Sequence, residues 1–354
     1  MAIKVLIVDD SALMRALLTE IISGAPDLDV VGAAPDPIAA REMIKSLNPD
    51  VLTLDVEMPK MDGLEFLSRI MRLRPMPVIM ISALTERGSQ VTLQALEAGA
   101  VDFVAKPRAE SVAQLMGYAD EICEKIRSAH GASLRGRGRP QPRVAAAAEV
   151  ADESSGLSPR FLGDHVIAIG ASTGGTEAIK DVLVRLPPDM PPIVMAQHMP
   201  EGFTTSFAKR LDTLTRLTVL EAEGGERLKP GHAYLAPGHS HLLIRRSAGG
   251  YITELSQSEP VNRHRPSVDV LFRSVAEEAR LKATGIILTG MGKDGALGLL
   301  EMRQQGAWTI GQDQESCVVY GMPREAANVG ALEEVAGLSD VAGRLLVRLR
   351  RLDR

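Results

Sequence analysis

Two kinds of apolar spacing alternate along residues 1–128. Short, largely apolar runs at Lys4–Val8, Val30–Ala33, Val51–Leu54, Val78–Ile81 and Phe103–Ala105 predict strands buried on both faces. Between them, apolar residues recur at three- and four-residue steps over Ser11–Ser23, Ile38–Leu47, Gly63–Leu73, Gly88–Glu97 and Ser111–Ser128, which predicts helices. Strand and helix in alternation, with short connections, predict a five-stranded parallel sheet of doubly wound type.

The pattern stops near residue 129. The stretch GASLRGRGRPQPRVAAAAEVADESSG is rich in Gly, Pro, Ala and Arg, and predicts a flexible linker over residues 129–160. Its Arg135, Arg137, Arg139 and Arg143 read as a solvated tether in preference to a docking site for an acidic partner. A second α/β unit follows over residues 161–354. Strands are predicted at Val166–Gly170, Ile193–Gln197, Thr218–Glu221, Ala233–Ala236, Leu242–Arg245, Ile252–Leu255, Gly285–Thr289 and Trp308–Gln312. Helices are predicted at Thr176–Leu186, Thr204–Leu211, Val268–Ala279, Ala296–Gln305, Arg324–Val329 and Val341–Leu352. No helical pattern separates the middle strands, which predicts antiparallel hairpins within a mixed, Rossmann-like sheet. The fold class is therefore α/β, with two doubly wound domains joined by a linker.

Composition narrows the function classes. A net charge of −5 argues against a whole-chain nucleic-acid binder. The two cysteines, Cys123 and Cys317, lie far apart, which excludes a disulfide framework and fits a reducing compartment. The opening MAIKVLIVDD reaches charge too soon for a signal peptide, and no stretch approaches the ~20 apolar residues of a membrane span. A cytoplasmic protein that is not embedded in a membrane is expected.

In the first unit, Asp9 and Asp10 end the first strand, Asp55 the third and Lys106 the fifth, while Ser82 follows the fourth. Parallel strands open their carboxyl ends on one edge, where ligands bind. Three carboxylates there repel one another unless a cation joins them, and oxygen ligands that keep waters suit Mg²⁺. Lys106 and the Ser82 hydroxyl can then hold the oxygens of a phosphoryl group on Asp55. Lys106-Pro107 is expected to carry a cis peptide bond that fixes the lysine's direction. The constellation resembles the response-regulator receiver domain along its whole length. That resemblance implies Asp55 as phosphoryl acceptor, Asp10, Asp55 and the Glu57 carbonyl as Mg²⁺ ligands supported by Asp9, and Ser82 with Phe103 as the switch pair. Ser82 stands where threonine is commoner in that family, and keeps the hydroxyl.

In the second unit, VIAIGASTGG puts Ser172 on a sharp strand-to-helix turn with small neighbours and helix-start N–H groups beside it. His198 ends the strand IVMAQH, and Asp294 follows ILTG within GMGKDG. If the three strands are parallel, all three side chains emerge at one edge, as a Ser-His-Asp triad requires. His264, in NRHRPS, competes for the role of base. GASTGGT approximates a phosphate loop but lacks its lysine. Gly290–Gly295 matches G-x-G-x-x-G, with Asp313 23 residues beyond Gly290, the spacing of a dinucleotide site. His239 and His241 lack a third metal ligand at any usual spacing.

The segments GASTGG, QHMP, PGHAYLAPG, VNRHRPSVDVLF, ILTGMGKDG and GMPREA together resemble the catalytic domain of the chemotaxis-specific protein-glutamate methylesterases, which are also receptor glutamine deamidases. That resemblance implies Ser172 as nucleophile, His198 as base and Asp294 as orienting acid, with an oxyanion hole from the backbone N–H groups of Thr173 and Met291. It implies no cofactor for the esterase reaction, methyl-accepting chemoreceptors as substrates and a histidine kinase as phosphodonor. Lys293 occupies a position where a neutral residue is common in the family.

Overall fold

The computed structural model describes residues 2–58, 62–83, 85–106, 112–132 and 154–354. The chain divides into two compact units at residue 140.

The first unit runs β1 (Ile3–Val8), α1 (Ala12–Ser23), β2 (Leu28–Ala34), α2 (Pro37–Leu47), β3 (Val51–Asp55), α3 (Gly63–Leu73), β4 (Val78–Ser82), α4 (Glu86–Glu97), β5 (Asp102–Ala105) and α5 (Val112–His130). The five strands form one parallel sheet in the order β2-β1-β3-β4-β5. β3 and β4 are buried at every position, as expected for strands covered on both faces. Side-chain caps set the helix starts. Ser11, Asp36, Asp62 and Thr85 each accept a hydrogen bond from a backbone N–H of the turn that follows. Thr85 draws α4 back to Glu86, two residues ahead of the predicted start.

The second unit runs α6 (Pro159–Asp164), β6 (Val166–Ala171), α7 (Gly175–Leu183), β7 (Ile193–Gln197), α8 (Phe203–Leu214), β8 (Thr218–Glu221), β9 (His232–Leu235), β10 (His241–Ser247), β11 (Gly250–Ser256), α9 (Val268–Glu278), β12 (Ala283–Ile287), α10 (Ala296–Gln304), β13 (Trp308–Gln312), α11 (Met322–Asn328), β14 (Glu334–Ala336) and α12 (Leu338–Leu352). Seven strands make a sheet in the order β14-β13-β12-β6-β7-β9-β8, and every pairing in it is parallel. The antiparallel portion is β10–β11, a two-stranded sheet of its own.

The expected hairpin between β8 and β9 is thus a parallel pair. Its connection serves as a crossover without being a helix. Leaving β8, the chain runs beside β11, where Gly225 and Leu228 donate to the carbonyls of Thr253 and Tyr251. It then returns to the starting end of β8, where the Thr218 N–H meets the Gly231 carbonyl. A segment bonded to β11 does what a helix does in an ordinary parallel crossover.

The core of this unit is aliphatic around a few large rings. Val268, Leu271, Phe272 and Val275 of α9 pack with Leu299 and Met302 of α10 and with Tyr234. At the edge of the unit, the Ser158 N–H and hydroxyl both donate to the Asp353 carboxylate at 2.6 Å, and Arg350 Nε donates to the Ser155 carbonyl at 2.8 Å. Among the described residues, no helix is long and apolar enough to cross a membrane.

Candidate active site

The chain steps from β6 to β7 on one side and later returns to place β12 on the other side of β6. Adjacent connections therefore diverge between β6 and β12. The crevice at their carboxyl ends is the switch point where doubly wound sheets bind ligands. Ser172 follows β6 directly. Its N–H donates to the Thr289 carbonyl beyond β12 at 3.1 Å, and its carbonyl accepts from Gly175 N–H at 2.7 Å, closing a tight turn. Gly174 in that turn has φ 76°, and a Cβ there would lie 2.6 Å from the Val318 side chain. Only glycine satisfies both constraints.

His198 follows β7. Its Nδ1 lies 3.1 Å from Ser172 Oγ and its Nε2 2.8 Å from Asp294 Oδ2. Asp294, in the turn from β12 to α10, is only 1 % exposed. Its Oδ1 accepts from Asn262 Nδ2 at 2.8 Å, Ser267 Oγ at 2.8 Å and Asp269 N–H at 3.2 Å, and its Oδ2 accepts from Val268 N–H at 2.7 Å. Burial alone pushes this carboxyl up. The bond and charge of His198, with Asn262 and the Val268 N–H, outweigh burial and hold it below the usual carboxylate range. An ionised Asp294 can only accept, so Nε2 carries the ring hydrogen and Nδ1 offers its lone pair to the Ser172 hydroxyl. Both ring nitrogens exchange roles relative to the serine-protease template, where Nε2 faces the serine.

Gly290 brings the next strand end against Ser172, since a Cβ there would sit 2.8 Å from Ser172 Cβ. Thr173 is buried beside Ser172, and Met291 follows Gly290. Several contributors are absent from the sequence reading. Gln197 Nε2 donates to the carbonyls of Ser172 at 2.9 Å and His198 at 3.2 Å, tying the two strand ends together. Asn262, Ser267 and Asp269 hold the Asp294 carboxylate. Three of these four lie in the VNRHRPSVDVLF segment, which was the available signal. His264, the competitor for base, stacks on His198 with ring centroids 3.6 Å apart.

The other rivals resolve into structure. His241 is buried; its Nδ1 accepts from Ser267 N–H at 3.0 Å and its Nε2 meets the Glu259 carbonyl at 3.2 Å. His239 pairs with the Ser240 hydroxyl. Asp313, at the spacing of a ribose-binding acid, is taken up in a local turn by Ser316 N–H and Oγ.

In the first unit, Asp9, Asp10 and Asp55 bring carboxylate oxygens within 4.8 Å of one another. Asp9 Oδ1 accepts from Ser11 N–H at 2.9 Å and Asp55 Oδ1 from Glu57 N–H at 3.3 Å. Lys106 Nζ lies 2.8 Å from Asp55 Oδ2 and 3.3 Å from Asp9 Oδ2. Among the described residues, these two buried oxygens have that ammonium as their one partner. Burial first, and repulsion from Asp9, push the Asp55 carboxyl up to about 6 against the pull of Lys106 and the Glu57 N–H. Three converging carboxylates with under-satisfied oxygens fit a hard divalent cation. Ser82 is buried and its hydroxyl donates to the Gly88 carbonyl on α4 at 3.3 Å. Phe103 is buried, with Lys125 Nζ 5.2 Å from its ring centroid. Pro107, and with it the expected cis bond, lies outside the described residues, as do the linker arginines.

Residues 5–116 match the family model of the response regulator receiver domain, and residues 167–345 that of the CheB methylesterase. The chain is 63 % identical over 350 residues to a protein-glutamate methylesterase/protein-glutamine glutaminase of Nitrosomonas europaea, covering 98 % of this chain and 96 % of the relative. A protein of the same name from Thiobacillus denitrificans is 60 % identical over 346 residues, with 98 % and 96 % covered. The crystal structure of the Thermotoga maritima CheB methylesterase catalytic domain matches with a TM-score of 0.51 at 40 % identity, over 52 % of this chain and 98 % of that one. With similarity this high along nearly its whole length, the chain belongs to the CheB methylesterase family.

Proposed function

We propose that this protein is a phosphorylation-gated hydrolase that demethylates γ-glutamyl methyl esters and deamidates glutamines on chemoreceptors, by a covalent Ser-His-Asp mechanism. The enzyme class, protein-glutamate methylesterase and protein-glutamine glutaminase, follows from the family. The mechanism rests on one observation, the continuous hydrogen-bonded chain from Ser172 through His198 to Asp294.

Ser172 Oγ attacks the ester carbonyl carbon as its proton passes to His198 Nδ1. Asp294 holds Nε2–H and balances the imidazolium charge. The oxyanion faces the backbone N–H groups of Thr173 and Met291. Collapse of the tetrahedral adduct breaks the bond to methoxide, which takes the proton from Nδ1 and leaves as methanol. Water, deprotonated by His198, then cleaves the acyl-enzyme to a glutamate carboxylate and free Ser172. A glutamine substrate follows the same course and releases ammonia.

In the receiver unit, Asp55 takes a phosphoryl group from a histidine kinase. Asp10, Asp55 and the Glu57 carbonyl, supported by Asp9, would hold Mg²⁺, which when bound supplies positive charge for the phosphoryl oxygens. Lys106 pairs with the same oxygens, and the Ser82 hydroxyl leaves the Gly88 carbonyl to bind one of them while Phe103 follows. The phosphoryl group adds roughly two negative charges to this pocket. Phosphorylation of the receiver is proposed to relieve an inhibition of the catalytic unit. The protein is expected to act in the cytoplasm, outside the membrane and without nucleic acid.

The test is methanol release from membranes bearing methylated receptors, with and without Mg²⁺ and a small phosphodonor. Release should rise with phosphodonor and fall by several orders of magnitude in Ser172→Ala, about 10⁶-fold at most. Near-normal release in that variant would end the nucleophile assignment. Release that ignores phosphodonor would remove the gate and keep the esterase.

A further inference from the structure

A general base must meet two demands at once. Its accepting nitrogen must stay aligned with the serine hydroxyl, and its ring must carry a positive charge for part of each turnover. Hydrogen bonds at Nδ1 and Nε2 fix two points on the His198 ring edge. With the bond from Cβ to Cγ they set the ring's place, and because hydrogen bonds are soft in angle they still permit a libration that swings the Nδ1 lone pair off the serine's path. Contact with a ring face opposes that libration.

The loop between β11 and α9 supplies such a contact. His264 lies over His198 with centroids 3.6 Å apart and planes inclined by 16°. The same loop reaches the acid, since Asn262 donates to Asp294 at 2.8 Å through the amide that also donates to Asp269 at 2.8 Å. Asn262 and Arg263 both adopt left-handed backbone, with φ 52° and 67°. Consecutive left-handed non-glycine residues cost conformational energy and persist where surrounding contacts over-determine them. Here they turn the chain so that residues two apart, Asn262 and His264, reach the acid and the base respectively. The His264 ring lies on the face of the His198 ring, the base of the proposed reaction.

We propose that His264 is a positioning residue for the esterase reaction: its aromatic face locks the tilt of the His198 ring and lies against the imidazolium that forms as Ser172 attacks. The inference rests on His198 acting as the base. An aromatic face against a cation stabilises it, and the loss on removing the face is about tenfold in rate. The stabilisation applies to the charged ring, so it lowers the barrier without tightening substrate binding.

The experiment compares His264→Phe, His264→Leu and His264→Ala in the full-length protein. Three readouts are taken: kcat and KM for methanol release, the rate at which a fluorophosphonate labels Ser172, and the melting temperature. Phenylalanine keeps the face and should hold kcat within about threefold of the parent. Leucine fills similar space without an aromatic face; it should lower kcat and the labelling rate about tenfold with KM little changed. Alanine should lower both at least as far, and if it fails to fold the leucine and phenylalanine pair decides alone. Unchanged kcat and labelling in the leucine variant would overturn the proposal. Equal losses in leucine and phenylalanine variants would also overturn it, since the face would then not be what matters. Labelling reads Ser172 whatever the natural substrate is. If the parent releases no methanol but labels, the substrate assignment fails and the positioning role is still decided by the label.

Discussion

In the proposed phosphorylation Asp55 must be ionised, in a place that resists ionisation. Its carboxyl, ordinarily near 3.8, sits at about 6 because it is buried and faces Asp9. The folded state therefore takes up this proton at a higher pH than the unfolded chain does. Stability from this group is greatest below pH ~4 and falls as pH rises through 6, by on the order of 3 kcal/mol at most. Asp55→Asn should accordingly melt above the parent at pH 7.5 without Mg²⁺, with the gap closing at pH 5. It should also take up no phosphoryl group. A variant that melts below the parent at pH 7.5 would mean that Lys106 outweighs burial and repulsion.

At the scale of elements, the catalytic crevice is made by close approach of two turns, one after β6 and one after β12. Gly290 is where they touch. A methyl group there would press on Ser172 Cβ on one side and on the Met322 sulfur on the other. Gly290→Ala should displace the nucleophile turn and lower kcat on the order of a hundredfold, as sub-ångström to ångström misplacement does. Circular dichroism should show an intact sheet, and normal turnover would show that Met322 alone absorbs the strain.

The same scale shows what a reader of the residues can and cannot see. Ser172 and His198 are legible because each directly follows a continuous apolar run, and parallel strands put such positions on one edge. Asp294 is legible only through its motif, being seven residues past Ile287, where β12 ends. Gln197 is hidden in the run itself, where an inward amide in a buried strand looks like an interruption. Asn262 and Ser267 reach Asp294 from a loop roughly thirty residues away in sequence, and no local period encodes that approach. The parallel pairing of β8 and β9 is hidden for a related reason, since its crossover is a segment bonded to β11. β14, at three residues, is too short to show a period.

Across the whole molecule, each unit closes its own sheet and core. The inhibition proposed above would therefore act on a catalytic site that is already assembled. Removing about residues 1–130 should raise basal methanol release, and a folded fragment with unchanged or lower release would count against that inhibition. The second unit also has a property of its own in the bonds that join Ser155 and Ser158 to Arg350 and Asp353. Where the chain enters this unit and where α12 finishes are neighbours in space. The backbone order of the hydrolase is thus separable from its shape: a circular permutant that joins the region of Asp353 to Ser154 through a few glycines, and is reopened at the exposed Ala248–Gly249 turn of the β10–β11 hairpin, should fold to the same triad. Its labelling by fluorophosphonate at the parent's rate would show that the catalytic crevice does not depend on the order in which these elements are joined.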